Sequence, residues 1–262
     1  MKTFVFTILC LLIIAIAYRQ PQNRWPSQTG MTLNRAVESG NLEEVSRMVE
    51  SGASVEGNPS PGYSDRTPLE SAFNQKDPDI ALYLIDHGAS LKPKIHSPYG
   101  PLLYQAARSD ISIVKRLLDS GLDPNSGVNE FTPLHLLGGG NQGDRSYDTD
   151  QTIQAKIHLL IRYGANPNLQ DQHGQTPLHI AAKHNTPAAV KALLEEKANP
   201  NLQDRDGNTP LHLAADMHSY EIIRMLLRAN VNKHAKNKAG ATPLDLVGDI
   251  ESLLAKSTGG KK

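Results

Sequence analysis

Asn168–Ala182 reads NLQDQHGQTPLHIAA, and thirty-three residues later Asn201–Ala215 reads NLQDRDGNTPLHLAA. Only four positions differ: Gln172/Arg205, His173/Asp206, Gln175/Asn208 and Ile180/Leu213. A chain that writes nearly the same block twice at a fixed interval is built from a repeated unit. The tripeptide Thr-Pro-Leu carries the pattern outward. It begins at Thr67, Thr132, Thr176, Thr209 and Thr242, so its prolines are spaced 65, 44, 33 and 33 residues apart. The 65-residue gap holds one further unit around Gly100-Pro101-Leu102-Leu103, with its register open by one residue. The 44-residue gap is one period plus an 11-residue insertion. A degenerate unit, Met31–Val55, precedes them all, giving about seven units.

Each unit predicts the same local structure. Thr is an N-cap whose hydroxyl satisfies a free backbone N–H. Pro follows at the first helical position, where its missing N–H costs nothing. The small pairs Ala181-Ala182 and Ala214-Ala215 let this short helix approach its neighbour closely. A second helix follows with apolar residues at helical spacing: Val45, Met48 and Val49; Ile80, Leu84 and Ile85; Val114, Leu117 and Leu118; Ile223, Leu226 and Leu227. Gly52, Gly88, Gly121 and Gly164 stop it in the left-handed conformation, with Lys197 and Asn230 at the same position later. No unit buries its own apolar face, so neighbours must stack to fold.

With TPLHxAA at a 33-residue period, Gly-Ala-Asx-x-Asn after the second helix and an Asp-x-x-Gly turn, the chain resembles the ankyrin-repeat family. The resemblance implies an all-α solenoid: a helix-turn-helix plus a projecting β-hairpin finger per repeat, stacked into an L-shaped array. It further implies a concave binding surface made of finger tips and first helices. The expected organisation is a signal peptide or anchor at 1–17, a linker at 18–30, repeats over 31–254 with the insertion within 138–150, and a polar tail at 255–262.

The 262 residues hold 27 basic and 27 acidic side chains, a formal net charge of zero. That argues against nucleic acid, whose binding draws on a surplus of Lys and Arg. Cys10 is the only cysteine, so the body of the chain has neither disulfides nor cysteine-ligated metal. Lys2 followed by the uncharged Phe4–Ala17 reads as an export signal. As a helix that stretch spans about 21 Å, short of a ~30 Å hydrocarbon core. Ala15-Ile16-Ala17 suits signal peptidase, yet the apolar run continues into the site, so an uncleaved anchor stands equally open. Leu9 is too bulky for lipoprotein processing at Cys10. Either reading makes the protein exported, periplasmic or anchored to the inner membrane, touching lipid only through this segment.

Three candidate sites carry chemistry-bearing residues. His135, His179 and His212 recur at one repeat position. Rings on successive helices lie roughly 10 Å apart, too far for one zinc, so they are read as backbone hydrogen-bonders at repeat junctions. The insertion Gly138–Asp150, GGGNQGDRSYDTD, offers Asp144, Asp148 and Asp150 but does not match a calcium loop. It is either a lengthened loop or a partner contact through Arg145 and Tyr147. The finger tips hold the variable residues Gln172, His173, Gln175, Arg205, Asp206 and Asn208. The column before Thr-Pro adds Arg66, Tyr99 and Phe131, with Tyr63 nearby. Exposed aromatics and Arg are typical interface anchors, although Phe131 and Tyr99 also suit folding back on adjacent fingers.

No nucleophile elbow, HExxH, P-loop or dinucleotide fingerprint is present. The expected function is therefore protein binding without catalysis or cofactor, by a chain that is monomeric until its partner binds. The partner would be an exported enzyme or toxin held on the concave face and neutralised, as by an immunity protein. The alternative is a membrane-tethered scaffold, or a protective, chaperone-like binder of an envelope enzyme.

Overall fold

The structure is a computed structural model that describes residues 32–57, 66–73, 78–92, 100–139 and 149–247. The chain divides into two units, Met1–Thr32 and Leu33–Lys262. The first lies outside the described residues apart from Thr32, and with it the expected signal or anchor; so do residues 140–148 of the insertion and the tail. Among the described residues no helix is long and apolar enough to cross a membrane.

The second unit is an all-helical stack. Its first helices are α1 (Leu33–Glu38), α3 (Pro68–Ala72), α5 (Leu102–Ala106), α7 (Pro133–Gly138), α9 (Pro177–Lys183), α11 (Pro210–Asp216) and α13 (Pro243–Val247). Its second helices are α2 (Leu42–Glu50), α4 (Asp79–Asp86), α6 (Ile111–Asp119), α8 (Asp150–Arg162), α10 (Pro187–Glu195) and α12 (Tyr220–Arg228). First helices pack on first helices, as α7 on α9 and α9 on α11, and second on second, as α8 on α10 and α10 on α12. Between the layers runs one continuous core of buried Leu, Ile, Val and Ala. The residues expected from helical spacing belong to it: Val45, Ile80, Leu84, Val114, Leu117, Ile223 and Leu226 are buried, and Met48, Val49 and Leu227 pack against it.

The insertion is partly absorbed into regular structure. Helix α7 runs to Gly138, and α8 begins at Asp150, capped by Thr149 Oγ1 accepting from Thr152 N at 3.2 Å. At 13 residues α8 is four longer than α6 or α10. It also carries an irregular core position. Lys156 is wholly buried in the column filled elsewhere by Ile80, Ile113, Ala189 and Ile222, eight residues before the helix stop. An aliphatic stem can occupy such a column while the ammonium reaches toward its polar edge. Its charge is felt at Asp110 of the preceding repeat, whose carboxyl is held below the usual range mainly by hydrogen bonds from Ser112 and in part by Lys156.

The helix stops adopt the expected left-handed backbone, with φ of +98° at Gly52, +87° at Gly88, +83° at Gly121 and +95° at Gly164. Lys197 and Asn230 are forced to +61° in the same place. An exposed lysine there bears about 1–2 kcal/mol of steric strain, against a loss of up to about 1 kcal/mol in unfolded-chain entropy on replacement by glycine. Lys197→Gly is therefore expected to raise stability by about 0.5–1 kcal/mol. Asn230→Gly should gain less, because Asn tolerates this region. Urea midpoints measure both; a lower midpoint for Lys197→Gly would contradict the strain assignment.

The fingers differ from the expected β-hairpins. Among the described residues there is no strand, only the isolated bridge Val128–Phe131. The reason lies in where the backbone hydrogen bonds go. Asp171 N donates to Gln175 O at 2.9 Å, which closes the tip. The next rung is diverted: Gln175 O also accepts from His135 Nε2, and Thr176 N donates to His179 Nδ1. The finger is thus a tight turn whose base is tied sideways to its neighbours.

Candidate functional site

The three histidines organise the junctions. His135, His179 and His212 are all 0 % exposed. Each Nε2 donates to the carbonyl preceding the next Thr: Gln175 O at 2.9 Å, Asn208 O at 2.9 Å and Ala241 O at 3.1 Å. Each Nδ1 accepts the backbone N–H of its own N-cap, Thr132, Thr176 or Thr209, at 3.1 Å. A carbonyl only accepts and an amide N–H only donates, so every ring is fixed as the neutral Nε2–H tautomer. Burial is the largest cause holding all three below the ordinary imidazole value, opposed by the carbonyl bonds and by nearby Asp171 or Asp204. With both nitrogens engaged, the rings are occupied as structural ties. Among the described residues no cluster of three metal-ligating side chains occurs.

The N-terminal junctions solve the same problem with other residues. Asn34 Nδ2 donates to Arg66 O at 3.0 Å, as the histidines do later. Glu70 stands at the histidine position of the second repeat and has no proton for a carbonyl when ionised. Gln105 of the third repeat supplies the donor instead, bonding Gly100 O at 2.8 Å. This also settles the open register. Pro101 is the N-cap of α5, so Gly100 holds the column of Gln175 and Asn208, one residue after Tyr99.

The fingers are locked to one another by backbone and amides. Asp171 Oδ1 accepts from His173 N and Gln175 N, and Asp204 Oδ1 from Asp206 N and Asn208 N, at 2.8–2.9 Å. Arg205 N donates to His173 O and Lys238 N to Asp206 O, both at 2.9 Å. Gln170 Nε2 spans from Gly174 O to Gln203 O of the next finger, and Gln203 Nε2 from Gly207 O to Lys236 O. Asn125, Asn168 and Asn201 accept from the backbone N–H of Asn166, Asn199 and Asn232. What this scaffold leaves outward are Gln172, His173, Arg205 and Asp206, all exposed on two adjacent tips.

The remaining sequence candidates fall differently. Gln175 and Asn208 are half-buried with their amides turned to the next finger: Gln175 Nε2 reaches Asp204 Oδ2 at 3.4 Å, and Asn208 Oδ1 accepts from Asn237 Nδ2 at 2.9 Å. Phe131 is half-buried and tilted over His135, with ring centroids 5.1 Å apart. Arg66 is half-buried, and its carbonyl serves the Asn34 tie. Tyr63, Tyr99, Arg145 and Tyr147 lie outside the described residues.

Sequence reasoning overlooked the far end of the first helices. Arg108, Lys183-His184 and Asp216-Met217 each follow an Ala-Ala pair, and Met217 and Tyr220 are 52 % and 46 % exposed. The signal was one step beyond the compared blocks, where Lys183/Asp216 and His184/Met217 also diverge between copies.

Comparison with known proteins agrees with this geometry. Residues 152–237 match the family model for ankyrin repeats in three copies. These residues are ankyrin repeats. The cap, histidine tie and helix stop of the matched ankyrin repeats recur with the substitutions described above in the preceding units, which makes the fold an all-α ankyrin solenoid. The chain is 31% identical to human Rabankyrin-5 over 116 residues, covering 43% of this chain and 10% of that protein. It is 37% identical to an ankyrin repeat protein of Pyrobaculum aerophilum over 84 residues, covering 32% and 27%. It is 30% identical to human ankyrin repeat and SOCS box protein 3 over 188 residues, covering 60% and 35%. The chain thus spans about a third or less of the length of these relatives.

Proposed function

We propose that the repeats form a non-catalytic protein-binding module whose partner docks across the finger tips and first helices. One observation carries this reading. The residues common to the opening blocks are mostly buried or hydrogen-bonded to the next repeat, whereas three of the four that differ lie on the fingers, and two of those columns, Gln172/Arg205 and His173/Asp206, project from their tips. A rigid array with variable outward tips can change its contacts without changing its fold. Ankyrin repeats generally bind other proteins, which supports the reading. Tyr63, Tyr99, Arg145 and Tyr147 remain contacts proposed from the sequence.

The finer proposal is that the chain is exported and that binding neutralises an envelope enzyme or toxin. The Lys2–Ala17 pattern and the lack of catalytic signatures in the sequence support it. The test is crosslinking of the full chain in its native cells, followed by titration of the captured partner. His173→Ala/Arg205→Ala/Asp206→Ala is expected to weaken binding by more than about 2 kcal/mol. Surface positions of this kind should change stability by less than about 0.5 kcal/mol. Unchanged affinity would remove the tips from the site. A single hydrolase that loses activity when bound would support neutralisation; several unrelated partners with full activity would support the scaffold instead.

A further inference from the structure

At the far end of the first helices, positive charge gathers that makes no ion pair among the described residues. Arg108 follows α5, while Lys183 ends α9 and His184 caps it. The helix between them, α7, ends in Gly138-Gly139 and presents no side chain there. A Cβ placed on Gly139 would lie 3.9 Å from Arg108 Nη2 and 3.8 Å from Ile180 Cγ2. The guanidinium therefore lies over a glycine floor and points along the stack toward α9. Its field reaches His184, whose imidazole is held below its usual value by burial first, then by Lys183 and Arg108.

Arg108 is half-buried, and its Nε is wholly buried without a hydrogen-bond partner. Leaving such a donor unpaired is costly, and native structures rarely do so. Lys183 is exposed, and among the described residues neither cation joins an ion pair. On the second helices opposite charges do meet, as in Lys115–Asp119 at 2.6 Å and Arg116–Asp86 at 2.7 Å. Asp216, at the register of Lys183 on α11, makes no ion pair with it.

We propose that Arg108, Lys183 and His184 form a carboxylate-binding site that receives an acidic segment of the protein partner, an inference that rests on the protein-binding reading above. The spacing selects the ligand. Arg108 and Lys183 belong to helices separated by α7, two helix-to-helix steps of roughly 8–10 Å each. The anchoring points of the two side chains thus lie far apart along the stack, a span that a compact anion does not match. An extended chain bearing successive Asp or Glu can, with one carboxylate on the planar guanidinium fork. Ile180 and the glycine floor exclude water from one side of that contact, which strengthens it.

The test is an NMR titration of the full chain with an octaglutamate peptide, following the His184 imidazole C–H signals. Octaglutamate is expected to shift His184 and raise its titration midpoint, with binding weakened by added salt. Arg108→Gln/Lys183→Gln should lower affinity at least about tenfold. Lys183→Gln alone changes an exposed side chain, so its intermediate loss of affinity serves as the variant whose folding is not in question. An unmoved His184, or equal affinity in the double variant, would overturn the site. Inorganic phosphate binding as tightly as the peptide would overturn the assignment to an extended acidic segment. Partner capture separates the two claims. Equal capture of one partner by wild type and double variant sinks this site and leaves the protein-binding function standing. Peptide binding at His184 with no captured partner sustains the site and counts against the function.

Discussion

Between about pH 7.5 and about pH 5 the repeats are expected to lose stability, first in their C-terminal half. His135, His179 and His212 are neutral, buried and held below the ordinary imidazole value of 6.5. Below that value the unfolded chain takes up protons that the native stack refuses, so stability falls as pH falls and levels off above it. While a native ring stays neutral and its unfolded counterpart is charged, the slope is about 1.4 kcal/mol per pH unit for each histidine. Three together reach about 4 kcal/mol per unit, a large share of the 5–15 kcal/mol typical of a domain. The same proton sets an Nδ1–H against the Thr N–H, so the helix cap and the inter-repeat tie fail at one atom. Asp110 and Asp245, with carboxyls held below the usual range mainly by hydrogen bonds to Ser112 and Thr242, lose their contribution only at lower pH, outside this window. The chain itself supplies the control, since Asn34 makes the corresponding carbonyl bond with a group that does not titrate. Urea midpoints across the window should fall steeply for wild type and much less for the His135→Asn/His179→Asn/His212→Asn form. Hydrogen exchange should show α7–α13 opening before α1–α4. A flat midpoint, or an equal slope in the Asn form, would refute the mechanism.

The legible part of the fold was the part written locally. Thr-Pro caps, apolar spacing and the left-handed stops each need only a few adjacent residues, so Gly52 through Gly164 and even Lys197 and Asn230 were readable as helix ends. The histidine ties were readable too, because the repeat itself put each ring at a junction. The finger geometry was less so. Whether Gln175 O continues a hairpin or serves His135 depends on a residue 40 positions away. Lys156 offered no signal of its burial, since a lysine in an apolar column looks from sequence like a solvated face. Phe131 reads in sequence either as an interface anchor or as folded back, and only the structure shows its ring leaning on His135. The Arg108, Lys183 and His184 cluster depends on α7 lacking a side chain between α5 and α9, a relation across three repeats that composition does not express. In sequence the triple glycine marks the start of an insertion, whereas in the structure Gly138 is the last residue of α7.

That placement makes Gly138→Ala a damaging substitution at a repeat junction, despite its small size. By propensity the change should help, since alanine in a helix is favoured over glycine by about 1 kcal/mol. Gly138 has no left-handed φ to protect. The obstacle is the next repeat. A Cβ there would lie 2.7 Å from Pro177 O, 3.4 Å from Ala181 N and 3.5 Å from Ile180 Cβ. Two of these are backbone atoms of α9, which cannot rotate aside as a flexible side chain would. They are also anchored, because Thr176 caps α9 and His135 ties the residue before it. Relief therefore requires α7 and α9 to move apart, which lengthens the His135 bond and opens core between Leu134 and Leu178. Overpacking of this kind costs typically about 1–3 kcal/mol, and the added loss of the junction tie places the expected effect at the upper end, about 3 kcal/mol. In a stack whose stability is a sum of units and interfaces, weakening one interface also divides the cooperative unit. Gly138→Ala should thus lower the urea midpoint and broaden unfolding into two steps, with α9–α13 separating from α1–α8. Gly139→Ala, whose Cβ would meet nothing closer than Leu136 O at 3.4 Å, should stay near wild type. Equal midpoints for wild type and Gly138→Ala would mean that the helices slide freely past each other, and that the junction is held by the core alone and not by the close approach at this glycine.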